Sequence, residues 1–217
     1  MMHLLIAENR NPFFTHEFEK IEALLPPAEI EKAARYRNWQ DRQARLLGRL
    51  LLLSWLQENN MPVQYFQSIQ YSKYGRPCCI NAGFDFNISH SGLYVICAVN
   101  TLGKVGVDIE EIKPIDPDEF CRVLTTREIE LVKTAQKKER LFYKIWTRKE
   151  ALGKADGRGL GVDWRAISVL ENTVSLGACS YFLSELQVDE NYQTSIAYEG
   201  KPDGFLLQKM DLKSLLK

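Results

Sequence analysis

The segment Val105-Gly106-Val107-Asp108-Ile109-Glu110 alternates apolar and acidic residues. A strand repeats every two residues, so this pattern sends Asp108 and Glu110 to one face and Val107 and Ile109 into a core. Paired carboxylates repel each other, and either a cation or a raised pKa relieves the repulsion. Hard oxygen donors suit Mg²⁺, which keeps water ligands and completes its shell with phosphate oxygens. An ordinary polar strand face carries the same alternation. A second group, FYKIWTRKEALGKADGRGL from Phe142 to Leu160, strengthens the metal reading. On a helix Trp146, Lys149, Glu150, Gly153 and Lys154 share a face, with Trp146, Glu150 and Lys154 stacked at four-residue intervals. Glu150 offers a third carboxylate, and Lys154, one turn on, offers a cation to a phosphate bridging the metal. The same two side chains also suit an intrahelical ion pair worth about 0.2–0.5 kcal/mol. Gly157, Gly159 and Gly161 then punctuate a loop able to move over a ligand.

A third group is Gly75-Arg76-Pro77 followed by Phe86-Asn87-Ile88-Ser89-His90-Ser91-Gly92. Here a strand ends among hydroxyls and one imidazole, which together offer several hydrogen bonds to an anion. A fourth is basic: Lys32, Arg35, Arg37, Arg42, Arg45 and Arg49 face a single acid, Asp41, between positions 32 and 49. Arginines at three- and four-residue offsets converge on phosphate oxygens, or else form a solvated helix face.

Helices and short strands must position these groups. Apolar spacing predicts helix from Pro27 to Asn60, closed by Met61-Pro62. Strands follow at Ser68–Tyr71, Phe84–Ser89, Tyr94–Val99 and Val105–Glu110, separated by turns rich in Gly, Pro and Asn. A second helical region spans Asp118–Gly153 with a break near Ala135–Lys138. Strands return at Ala166–Leu170, Tyr181–Val188, Tyr192–Tyr198 and Phe205–Met210. This order indicates an α+β protein of two halves, residues 1–102 and 103–217, joined near Thr101–Lys104.

The 217 residues hold 28 Lys plus Arg against 28 Asp plus Glu, which argues against a broadly basic nucleic-acid-coating protein. A chain of this size buries roughly 70% of its unfolded surface and needs no staples. The longest apolar stretch, near Leu46–Leu56, is interrupted by Gly48, Arg49 and Ser54 and falls short of the ~20 residues of a membrane span. The N-terminal residues lack a basic start and a cleavage site and read as a first strand. Cys78, Cys79, Cys97, Cys121 and Cys179 show no metal-binding spacing, as expected of free thiols in a reducing cytoplasm.

The blocks GRPCCINAGFDFNISHSG, VGVDIE and FYKIWTRKEALGKADGRGL, with the helix ending DRQARLLGRLLL, resemble the signature of the 4′-phosphopantetheinyl transferase superfamily, in its larger monomeric surfactin-type class. The likeness spans roughly residues 30 to 165. It implies a pseudo-dimer of two similar α+β halves with coenzyme A in the cleft between them, and a monomer that modifies apo acyl, peptidyl or polyketide carrier proteins. By position it implies Asp108, Glu110 and Glu150 as Mg²⁺ ligands and Lys154 as the pyrophosphate contact. It implies Ser89, His90 and Arg76 at the 3′-phosphate and adenine end, with Gly75 and Pro77 shaping the adenine pocket. Aligned on Gly48, the family's basic positions fall on Ala44 and Glu31, and Arg45 and Lys32 stand one place later. Glu128, at the start of a helix, is a further candidate near the incoming serine, and equally a helix N-terminal acid. The implied product is a carrier serine bearing phosphopantetheine, with Asp108, Glu150 and Lys154 as the reacting set. Two rivals stand beside it: a non-catalytic coenzyme A or carrier-binding module, and a Mg²⁺ nuclease built on Asp108, Glu111 and Lys113. The near-neutral halves argue against the nuclease.

Overall fold

Asn38 starts the long helix that organises the first half. Its side chain accepts a hydrogen bond from the Gln40 backbone N–H, an N-cap that ends the preceding loop. The expected single helical run therefore splits into α2 (Pro27–Ala34), which opens with proline at its first position, and α3 (Trp39–Glu58). The computed structural model describes residues 1–116 and 123–216. Its other elements are β1 (Met2–Glu8), α1 (Thr15–Leu24), α4 (Gln64–Gln67), β2 (Gln70–Tyr71), β3 (Pro77–Cys78), β4 (Asp85–Ser91), β5 (Tyr94–Asn100) and β6 (Val105–Glu111). The chain then forms α5 (Thr126–Thr134), α6 (Lys138–Asp156), β7 (Thr173–Leu176), β8 (Cys179–Leu186), β9 (Tyr192–Tyr198), β10 (Phe205–Met210) and α7 (Leu212–Leu215). The first part of the expected second helix, residues 118–122, lies outside the described residues, as does Cys121.

Two four-stranded sheets carry the fold, in the orders β10-β1-β5-β4 and β6-β9-β8-β7. In each, a first strand leads through a long helix into a hairpin whose last strand pairs antiparallel with the first: β1, α3, β4-β5 and then β6, α6, β8-β9. This repeat makes the protein a pseudo-dimer of two α+β halves. The apolar stripe of α3, with Leu46, Leu47, Leu50, Leu51 and Trp55, closes over Leu5, Val95, Cys97 and Val99. Its counterpart α6 contributes Phe142, Ile145, Ala151 and Leu152 to a core with Tyr181, Leu183 and Ala197. A third core joins Met2, Leu4, Ile6 and Ile96 of the first sheet to Val105, Val107, Ile109 and Ile196 of the second.

The division at residues 102/103 is not clean. The C-terminal strand β10 runs parallel to β1 as a member of the first sheet, so the final segment belongs with the N-terminal half. Strands are also redistributed. Ala166–Leu170 is no strand: Trp164–Ala166 forms a 3₁₀ turn, and β7 starts at Thr173. The carbonyls of Val169, Leu170 and Glu171 accept from the Arg148 guanidinium and the Val169 N–H donates to Glu128, so side chains satisfy this backbone in place of a ladder. Among the described residues no helix is long and apolar enough to cross a membrane, and Cys78, Cys79, Cys97 and Cys179 are free.

Candidate active site

The two halves meet where β4 runs beside β6. The alternation that buries Phe86 leaves Asp85, Asn87, Ser89 and Ser91 pointing at the neighbouring strand. Asp85 Oδ2 accepts from the Val105 N–H at 2.8 Å, Asn87 Oδ1 from Val107 at 3.0 Å, and Ser91 Oγ from Glu111 at 3.1 Å. Side chains of one half thus complete the edge of the other. The opposite requirement falls on Gly106. A Cβ there would stand 2.0 Å from the Ala151 carbonyl and 2.4 Å from the Ala155 nitrogen, so only glycine lets β6 lie against α6. That contact brings Asp108 and Glu110 to the helix bearing Glu150 and Lys154.

The expected residues gather in one hollow of about 490 Å³, lined by Ser89, His90, Asp108, Glu110, Glu150 and Lys154. A neighbouring hollow of about 290 Å³ shares Glu150 and Lys154 and extends past Tyr74, Gly75, Arg76, Pro77 and Trp164. Together they form a groove between the halves. At its centre the Lys154 ammonium donates to Asp108 Oδ1 at 2.6 Å, to Ser89 Oγ at 2.9 Å and to the Val107 carbonyl at 3.2 Å. Ser89 Oγ itself donates to Asp108 Oδ1 at 3.0 Å. Lys154 therefore pairs with Asp108 on the adjoining strand β6, and the intrahelical pair with Glu150 is replaced.

Among the described residues no three or more His, Cys, Asp or Glu side chains form a group that could hold a metal ion. The expected three-carboxylate cage is thus not assembled, because Lys154 holds Asp108 and Ser91 Oγ donates to Glu110 Oε2 at 2.8 Å. The donor set nevertheless fits a hard divalent cation. Asp108 Oδ2 is buried without a hydrogen-bond partner, a costly state for a carboxylate oxygen. Burial, then the Asp108 charge, raises the pKa of Glu150 from its ordinary value, against the opposing pull of Lys154. Glu110 is raised by the same two causes, partly offset by the Ser91 hydrogen bond.

Several expectations need correction. Lys149 lines the smaller hollow, but its ammonium is buried, 2.8 Å from Glu128, and donates to the carbonyls of Trp164 and Ile167 at 2.7 Å each. Glu128 is equally buried, closes a capping box with Thr125 and accepts from the Val169 N–H, so it is the helix acid and not a partner for an incoming serine. Burial depresses the Lys149 pKa, and Glu128 opposes the shift. Lys113 pairs with Glu111 at the surface, whereas Asp108 is buried and pairs with Lys154, so the nuclease-like set is split. Arg76 lines the groove, but its guanidinium is engaged with Asp85 and with the carbonyls of Lys154 and Val105.

Arg45 and Lys32 do converge, together with Arg49, on Glu29 and the Tyr71 hydroxyl. Burial raises the Glu29 pKa, but Arg49, Lys32 and Arg45 override it and hold the carboxyl at about 2. Three cations around one carboxylate leave a positive surplus, and Arg45 Nε and Arg49 Nη1 are buried without partners. Glu29 lies just outside the window in which only Asp41 opposes the basic run, and so escapes a reading confined to that run. The cluster adjoins the Gly75–Pro77 turn, since Tyr71 pairs with Pro77 between β2 and β3. Asp85 and Asn87 were also legible, as the polar half of the alternation that marks Phe84, Phe86 and Ile88 as core.

Known proteins are similar in sequence to both halves. A family model described as "4′-phosphopantetheinyl transferase superfamily" matches residues 104–202, and one described as "4′-phosphopantetheinyl transferase, N-terminal" matches residues 11–102. The 4′-phosphopantetheinyl transferase Sfp of Bacillus subtilis is 28% identical, covering 85% of this chain and 87% of its own. The 4′-phosphopantetheinyl transferase gsp of Aneurinibacillus migulanus is 32% identical over 74% of this chain and 68% of its own. The 4′-phosphopantetheinyl transferase HetI of Nostoc sp. is 29% identical over 85% and 82%. With both halves matched on either side of the seam that assembles the groove, the chain belongs to the 4′-phosphopantetheinyl transferase superfamily.

Proposed function

We propose that the groove between the halves is where this transferase moves the 4′-phosphopantetheine group of coenzyme A onto a serine of an apo carrier protein, releasing adenosine 3′,5′-bisphosphate. The observation that carries the assignment is the orphaned, buried Oδ2 of Asp108 beside Lys154, in the hollow that Glu110 and Glu150 share. Asp108, Glu110 and Glu150 would hold Mg²⁺, which when bound neutralises pyrophosphate oxygens and offsets charge built up during phosphoryl transfer. Lys154, already held between Asp108 and Ser89, offers its ammonium to the pyrophosphate and to the departing nucleotide. Glu150 carries a raised pKa and lines both hollows, which suits it to accept the proton of the attacking serine hydroxyl. Gly75, Pro77, Ser89 and His90 frame the nucleotide end. The surplus charge of Lys32, Arg45 and Arg49 supports a 3′-phosphate contact there. Acyl, peptidyl and polyketide carriers all present the required serine.

The test is Glu150→Gln, assayed for transfer to an apo carrier and for folding by circular dichroism. Removing one oxygen donor and the proton acceptor together is expected to lower kcat at least ~100-fold with the fold retained. A folded variant of undiminished rate would remove Glu150 from both roles.

A further inference from the structure

Arg76 sits at the rim of the groove, where a ligand contact is the natural expectation, yet its donors are turned inward. Nε donates to the Lys154 carbonyl at 2.6 Å, Nη2 to the Val105 carbonyl at 2.9 Å, and Nη1 to Asp85 Oδ1 at 3.0 Å. Nη2 also pairs with Asp85 Oδ2, the oxygen that accepts from the Val105 N–H. The pair is largely buried, with 9% and 11% of the two side chains exposed. One guanidinium thus joins β4 of the first half to β6 and the end of α6 in the second.

The Lys154 carbonyl lies in the last turn of α6, where carbonyls lack intrahelical donors and a cation is favoured. Gly157, at φ +85°, ends the helix, and a Cβ on it would meet Arg76 Cδ at 3.1 Å, so the arginine stem lies along the cap itself. We propose that Arg76, braced by Asp85, is a positioning residue. It acts through the Lys154 backbone to set where the Lys154 ammonium stands relative to Asp108. The planar fork suits the task, because its three separate nitrogens reach both Asp85 oxygens and the carbonyls of Val105 and Lys154, four acceptors that the three donors on a single lysine nitrogen cannot all serve.

This inference rests on the function proposed above, so the wild-type rate with an apo carrier comes first; no transfer by the wild type would overturn that function. Given turnover, Arg76→Lys and Asp85→Asn are compared for kcat, KM for coenzyme A, calorimetric affinity for coenzyme A, and melting temperature. Misplacing Lys154 should lower kcat about 10- to 100-fold in both variants, with a smaller loss of coenzyme A affinity because the same ammonium also meets the pyrophosphate. The double variant should be no worse than the poorer single one, as for residues acting as one unit. Loss of coenzyme A affinity in Arg76→Lys with kcat kept would make Arg76 a ligand contact and overturn the proposal. A lowered melting temperature with unchanged kcat in both would reduce the pair to a fold element and overturn it equally.

Discussion

Asp108 is the residue on which the site turns. One oxygen takes the Lys154 ammonium and the Ser89 hydroxyl, and the other is buried with nothing to accept. Glu110 and Glu150 both resist ionisation beside it. A carboxyl whose pKa is raised by folding weakens the native state as pH climbs from its ordinary value toward the raised one, because the native state binds more protons there. A divalent cation reverses that penalty. Mg²⁺ at neutral pH is therefore expected to raise the melting temperature of the wild type, and the effect should vanish in Asp108→Asn. Equal stabilisation of both proteins would place the cation elsewhere. Glu29 has the opposite sign. Its carboxyl, held at about 2, stabilises the fold fully above its ordinary pKa and loses that contribution as pH falls toward 2. The shift corresponds to roughly 3 kcal/mol, and Glu29→Gln should flatten the acid limb of a urea-unfolding series by about that much. An unchanged acid limb would mean that the three cations do not depend on Glu29. At this scale the sequence was legible where spacing speaks: Asp108, Glu110, Glu150 and Lys154 share the groove that the resemblance implied. Hydrogen-bond partners were not legible. Whether Lys154 meets Glu150 or Asp108 depends on how closely α6 approaches β6, and no periodicity records that distance.

Gly106 sets that approach at the scale of the element. A methyl group at this position would overlap the α6 backbone, which is a harder obstacle than a flexible side chain. Gly106→Ala should cost about 1–3 kcal/mol or more in urea unfolding and abolish transfer by moving β6 off the helix. Unchanged stability would show that the two elements separate without penalty. Strand and helix types were largely readable from apolar period: β9 and β10 occupy the residues anticipated, and α5 and α6 break where the pattern breaks. Not anticipated were α1 (Thr15–Leu24) and β7 (Thr173–Leu176). Another exception is Ala166–Leu170, whose apolar residues mimic a strand. Its backbone is bound instead by Arg148 and Glu128 from distant helices, a tertiary arrangement with no local signature. Lys149 escaped for the same reason. Helical spacing placed it with Glu150, but the buried Glu128 carboxylate draws its ammonium the other way.

At the scale of the molecule, both halves repeat one plan, and the polar side chains of β4 replace the missing ladder partner of β6. Two α+β halves were legible from the order of elements, and their likeness to each other only from the family resemblance; the return of β10 to the first sheet was not legible, since a strand's sequence does not name its neighbour. Because β10 flanks β1, removing residues 203–217 should abolish the cooperative unfolding of the N-terminal half as well as the C-terminal end, seen as loss of a single melting transition. A truncated chain that melts as sharply as the full one would contradict this pairing. Loading of carrier proteins with phosphopantetheine at the groove between the halves is checked by intact-mass spectrometry of an apo carrier incubated with the protein, coenzyme A and Mg²⁺, against an EDTA control. A gain of one phosphopantetheine mass that EDTA prevents is expected. No gain on acyl, peptidyl or polyketide carriers, with the protein shown folded, would contradict it.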